Sequence, residues 1–86
     1  MDDETLKKYA YVNISSYRVK AVKSLQEGDK TPTQLANDSN IRVNHISKVL
    51  KELKDHEVAV CINEENRKNR IYRLTSVGHE IVENLD

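Results

Sequence analysis

The chain has 86 residues with 14 basic and 14 acidic side chains, so its net charge is zero and no global field draws it to nucleic acid or to an anionic surface. That length supports one core, because two cores of about 40 residues each would need disulfides or metals to hold. With four Tyr but no Phe or Trp, the core must be aliphatic, which suits a compact and mainly helical fold. A single cysteine, Cys61, excludes an intramolecular disulfide and a cysteine-rich zinc site, and points to a reducing, cytoplasmic compartment. No apolar run approaches the roughly 18 residues of a membrane span, and the acidic opening is unlike a signal peptide.

Residues 1–14 read two ways: Leu6, Tyr9 and Ala10 suit a short helix, whereas Tyr9, Tyr11 and Asn13 suit alternation. The expectation is an N-terminal extension, a weak helix running into an extended link, ahead of one domain spanning 15–86. From Ser15 or Ser16 the pattern is clearer. Tyr17, Val19, Ala21, Val22 and Leu25 form an apolar helical stripe, with Arg18, Lys20 and Lys23 on the other side and a stop at Gly28-Asp29.

Thr31-Pro32-Thr33-Gln34 combines a hydroxyl N-cap, proline at the first helical position and glutamine at the capping-box position. A short helix carrying Leu35 and Ala36 follows, and Asn37-Asp38-Ser39-Asn40 predict its turn, since their side chains compete for backbone hydrogen bonds. The third helix of the core runs over 43–55, with Val43, Ile46, Val49, Leu50 and Leu53 at spacings of three and four. Two β-forming runs, 58–62 and 70–74, flank a polar loop in which Asn69 suits a left-handed conformation. A last helix, capped at Thr75, carries Val77, Ile81, Val82 and Leu85.

Charge is segregated along the chain. Residues 39–54 hold Arg42, Lys48, Lys51 and Lys54 against the single acid Glu52, and 66–73 hold Arg67, Lys68, Arg70 and Arg73 with no acid. The compensating acids include Asp2, Asp3 and Glu4 at one end and Glu80, Glu83 and Asp86 at the other.

Helix, capped helix, tight turn, longer helix, hairpin and helix is the order of a winged helix-turn-helix: mainly α with a small β-hairpin wing (α+β), a three-helix core plus a C-terminal helix. The segments 31–36, 45–53 and 70–75, followed by Gly78, resemble prokaryotic, archaeal-type winged-helix transcriptional regulators similar to the MarR and ArsR groups. That resemblance implies double-stranded DNA as partner and 42–54 as the helix presented to the major groove. It also implies a glycine after the third helix, where this chain has Glu57, and one at the wing tip, where it has Asn69.

With the apolar period turned inward, Arg42, Asn44, His45 and Lys48 are expected near base edges, with Ser47 and Lys51 nearer the backbone. Arg67, Lys68 and Arg70 of the wing, and Thr31, Thr33 and Gln34 at the second helix's start, are expected on phosphates, although capping already explains Thr31 and Gln34. Two-fold operators favour a homodimer, with the terminal segments as the available pairing elements. No nucleophile motif or glycine-rich phosphate loop is present, and His45, His56, His79 and Cys61 lie singly, so neither an enzyme, a cofactor nor a metal is expected. Cys61 suits a small buried hydrophobe better than a redox sensor. A second reading stays open, in which the same fold serves as a protein-interaction module, as zero net charge permits.

Overall fold

A computed structural model describes residues 1–85; Asp86, the last residue of the expected domain, lies outside them. The order is α1 (Asp3–Asn13), α2 (Ser16–Gln26), α3 (Pro32–Ser39), α4 (Val43–Asp55), β1 (Ala59–Cys61), β2 (Tyr72–Leu74) and α5 (Ser76–Glu83). The strands form an antiparallel hairpin with Val60 opposite Arg73, and Lys30 adds an antiparallel bridge to Tyr72 on the outer side of β2. This is the winged helix-turn-helix that the sequence predicts: mainly helical, with α2, α3 and α4 as the three-helix core and α5 behind the hairpin.

Local chemistry accounts for the helix boundaries. Asp2, Ser15, Thr31 and Thr75 each accept a first-turn amide as N-caps, and Thr31 with Gln34 completes the capping box, its two bonds measuring 3.2 and 2.9 Å. Helices α3 and α4 end alike. Asn40 (φ +55°) and Glu57 (φ +61°) are left-handed, and the next residue's amide reaches five residues back, from Ile41 to the Ala36 carbonyl at 3.0 Å and from Val58 to the Leu53 carbonyl at 2.8 Å. In both, the residue after the left-handed one is a buried aliphatic that pins the chain reversal to the core.

The core is aliphatic. Val22, Leu35, Ile46, Leu50, Leu53, Val58 and Ile81 are all but inaccessible, and Cys61 is buried in β1. Five expectations change. Residues 1–14 form no extended link: α1 runs to Asn13, packs on α2 and α5 and places Val12 in the common core, because Asp2 caps it and its buried face has two helices to cover it. Helix α3 continues through Ser39, since Asp38 takes Lys30 as its partner instead of competing for the backbone, so the turn shrinks to residues 40–42. Val43 is 46% exposed and does not join the core; Ile41 does instead. Tyr17 is likewise exposed, although Val19 beside it packs partly against the core. Regular pairing covers only three residues in each strand, less than the β-forming runs, because the chain beyond Cys61 is drawn into the wing loop.

Candidate nucleic-acid interface

Helix α4 buries Ile46, Val49, Leu50 and Leu53 and leaves Asn44, His45, Ser47, Lys48 and Lys51 exposed on its solvent side, with Arg42 exposed at its N-cap. Glu52, the acid of the segment, shares the stripe of His45 and Lys48 but is half-buried and neutralised by an ion pair. Its carboxylate meets the Arg18 Nε at 3.3 Å, and the Arg18 guanidinium also donates to the Tyr11 carbonyl at 2.9 Å and lies 3.7 Å above the Tyr11 ring. Stacked on the same ring, 3.7 Å away, is the His56 imidazole, whose Nδ1 is 2.9 Å from the Glu52 carbonyl. Two groups so close to one centroid cannot share a face, so Tyr11 is clasped between them. This clasp fastens α1 and α2 to the C-terminal half of α4 and neutralises the acid of the segment.

Arg42 and Lys48 form no ion pair among the described residues. Lys51 reaches Asp55 at 3.2 Å but stays 78% exposed, and such a pair holds its cation only loosely. Arg42 occupies the N-cap position without a side-chain cap bond, whereas every other helix among the described residues is side-chain capped. The first amides of α4 therefore remain available to an acceptor from outside.

Two side chains hold the wing loop from within. Asn63 Oδ1 accepts the Ile71 amide at 2.8 Å and the Cys61 thiol at 3.4 Å, while its Nδ2 donates to the Asn69 carbonyl at 3.2 Å. Arg70 Nε donates to the Asn66 carbonyl at 2.8 Å and a terminal nitrogen to the Glu64 carbonyl at 3.3 Å. Arg70 is thus half-buried and occupied by loop carbonyls, where the sequence alone suggests a phosphate contact. Asn69 is left-handed, as expected (φ +55°), and Arg67 and Lys68 project into solvent. An ion pair between Lys54 and Glu64 ties the wing to the end of α4; the hydrogen bond between them raises the lysine's pKa and lowers the glutamate's.

At the start of α3, Thr31 and Gln34 are engaged with each other, and Thr33 is exposed. Lys30, just before, is largely covered; burial works to lower its pKa, but hydrogen bonds and charge from Asp38 and Glu27 outweigh this and raise it. Side-chain pattern in the sequence does not disclose Asn63 as a wing brace, nor Tyr17, whose ring packs edgewise on His45 with centroids 5.7 Å apart. A signal for Asn63 exists only in its place beside a loop that holds a left-handed Asn. Among the described residues no three His, Cys, Asp or Glu come together as metal ligands, and no helix is long and apolar enough to cross a membrane.

No family model matches the sequence, and no curated protein matches it either. Solved structures do match in fold. The adhesin competence repressor of Streptococcus pyogenes superposes with a TM-score of 0.72 at 18% identity, over 80% of this chain and 52% of its own. A MarR family transcription regulator gives 0.75 at 18% identity, over 92% and 54%. BpsR of Bordetella bronchiseptica, whose DNA binding is regulated by 6-hydroxynicotinic acid, gives 0.76 at 13% identity, over 92% and 67%. The chain spans about half the length of the first two. At such low identity the likeness concerns architecture, and what it establishes is that this chain folds as the winged helix-turn-helix domain found in MarR-type regulators.

Proposed function

We propose that the protein is a sequence-specific, double-stranded DNA-binding transcription regulator that inserts α4 into the major groove and lays the wing on the backbone or adjacent minor groove. The observation that carries this is the outer side of α4. It offers Asn44, His45, Ser47, Lys48 and Lys51, with Arg42 exposed at the N-cap, while Glu52 is neutralised by Arg18. Arg and Lys suit guanine edges and phosphates, Asn suits adenine, and uncapped amides at the start of α4 suit a phosphate. Arg67 and Lys68 add backbone contacts without reading sequence. The named neighbours, a repressor, a transcription regulator and a protein with regulated DNA binding, support the same reading.

A cytoplasmic homodimer fits this role, because one small module contacts few base pairs and two copies read both halves of a palindrome. Duplex binding measured across a salt series tests the proposal. Contacts from Lys48, Lys51, Arg67 and Lys68 predict a slope of log Kobs against log salt of roughly −3 to −4 per protomer. Absence of binding at low salt, or binding indifferent to salt, would instead support a protein-interaction module.

A further inference from the structure

We infer that the ring of Tyr17 positions His45 for base reading, which makes Tyr17 a specificity-determining residue of the interface although it lies on a different helix. The inference rests on the DNA-binding role proposed above. Tyr17 stands in the first turn of α2 and His45 in the first turn of α4, and α2 packs on α4, so the first turn of α2, held to Glu52 through Arg18, also reaches His45 through Tyr17. Their rings meet edgewise, with centroids 5.7 Å apart and planes inclined by 64°, a favoured arrangement for aromatic quadrupoles. Burial does not impose this contact. Tyr17 is 41% exposed and His45 is exposed too, so the pair stands on the surface beside Asn44 and Lys48.

The chemical consequence lies in what the contact leaves open. A neutral imidazole offers one donor and one acceptor, and among the described residues neither ring nitrogen of His45 has a hydrogen-bond partner. Tyr17 restrains the ring without taking up a hydrogen bond of either nitrogen, so both keep their capacity for a base or a phosphate. An exposed histidine without that neighbour would lose rotamer freedom on binding, whereas here part of the loss has already occurred in the free protein. The N-terminal residues of a recognition helix are those that reach base edges, so fixing the third residue of α4 acts where sequence is read.

Selection from random duplexes with the wild-type protein, followed by Kd measurements on the best duplex and its single-base-pair substitutions, tests this with five proteins: wild type, Tyr17→Ala, Tyr17→Phe, His45→Ala and the Tyr17→Ala/His45→Ala double variant. The expected result is a loss of about three- to tenfold for Tyr17→Ala, confined to the base pair that His45→Ala also ceases to discriminate. Tyr17→Phe keeps the ring and retains the preference, and the double variant is no weaker than His45→Ala. The salt slope and the thermal midpoint of Tyr17→Ala stay at wild-type values. Additive losses in the double variant, wild-type discrimination by Tyr17→Ala, or a Tyr17→Phe defect as large as that of Tyr17→Ala would overturn the inference and leave the DNA-binding role standing. A wild-type protein that enriches no duplex would overturn both.

Discussion

Gly78 lies so close to Val58 that a Cβ at position 78 would come within 2.2 Å of the Val58 carbonyl oxygen. The first turn of α5 is thereby pressed onto the corner where α4 gives way to β1. Thr75 locks the same corner: its hydroxyl donates to the Glu57 carbonyl at 2.6 Å and accepts the Gly78 amide at 3.1 Å, and its own amide donates to the Val58 carbonyl at 3.1 Å.

Gly78→Ala is therefore expected to destabilise the domain. The obstacle is a backbone oxygen, so no side chain can yield, and displacing α5 costs about 3 kcal/mol. Roughly 1 kcal/mol is recovered from alanine's helix propensity. A net loss of about 2 kcal/mol lowers the thermal midpoint by roughly 8–16 °C, readable by circular dichroism. A midpoint equal to the wild type would show that α5 does not sit this close to β1.

Glu57→Gly is expected to act in the opposite direction. Glu57 holds φ +61°, where a side chain is strained. Its carboxylate does meet Lys8 Nζ at 3.1 Å, but at 79% exposure that pair contributes less than about 0.5 kcal/mol. Replacement by glycine should stabilise by about 0.5–1 kcal/mol, whereas Glu57→Ala, which removes the carboxylate and keeps the strain, should bring no gain. Chemical denaturation of the two variants separates strain from charge.

Acid sensitivity should change in Asp29→Asn. Arg73 donates three hydrogen bonds of 2.8–3.1 Å to the Asp29 carboxylate, and these hold its pKa below the ordinary 3.8. A carboxylate whose folded pKa is depressed contributes stability above its unfolded pKa and loses it as pH falls through the folded one. The wild type should thus melt above Asp29→Asn at pH 7, with the gap closing below about pH 4. A gap that persists unchanged at low pH would show that the carboxylate's charge is not what ties the α2–α3 connection to β2.

Three substitutions distinguish reading, touching and bracing at the interface. Asn44→Ala should relax base preference, with losses of about 1–3 kcal/mol on the preferred duplex and little on random DNA. Lys68→Ala should weaken all duplexes alike and reduce the magnitude of the salt slope by about one. Arg70→Ala should lower protection of the amides in residues 63–70 from hydrogen exchange even without DNA, because the Asn66 and Glu64 carbonyls lose their donor. Unchanged exchange in that loop would return Arg70 to the role of a plain phosphate contact.

Much of this fold is legible in short windows of sequence. The capping box at Thr31-Pro32-Thr33-Gln34, the cap at Thr75 and the bounds of α4 depend on residues within one or two turns, and all three are found where the pattern puts them. The left-handed position of Asn69 belongs to the same class, whereas that of Glu57 is signalled only by the glycine that the resemblance puts there. Two readings change once the chain folds, one through helices distant in sequence and one through carbonyls only four and six residues away. Residues 1–14 look ambiguous until α2 and α5 cover α1, and Arg70 looks like a free cation until the loop folds back over it.

The outer side of α4 shows the division most plainly. Periodicity alone determined that Asn44, His45, Ser47, Lys48 and Lys51 point away from the core, since a helix of 3.6 residues per turn puts them off the face that buries Ile46, Val49, Leu50 and Leu53. Arg42, four residues before Ile46 and in line with that face, is exposed because it is the extended N-cap. Tertiary structure decided where the flanking groups go. Glu52 finds Arg18 34 positions earlier, Tyr17 comes to rest on His45 from another helix, and Ile41 takes the buried place that spacing assigns to Val43. Local geometry sets which way a side chain starts, but which partner it meets depends on how helices far apart in the chain pack together.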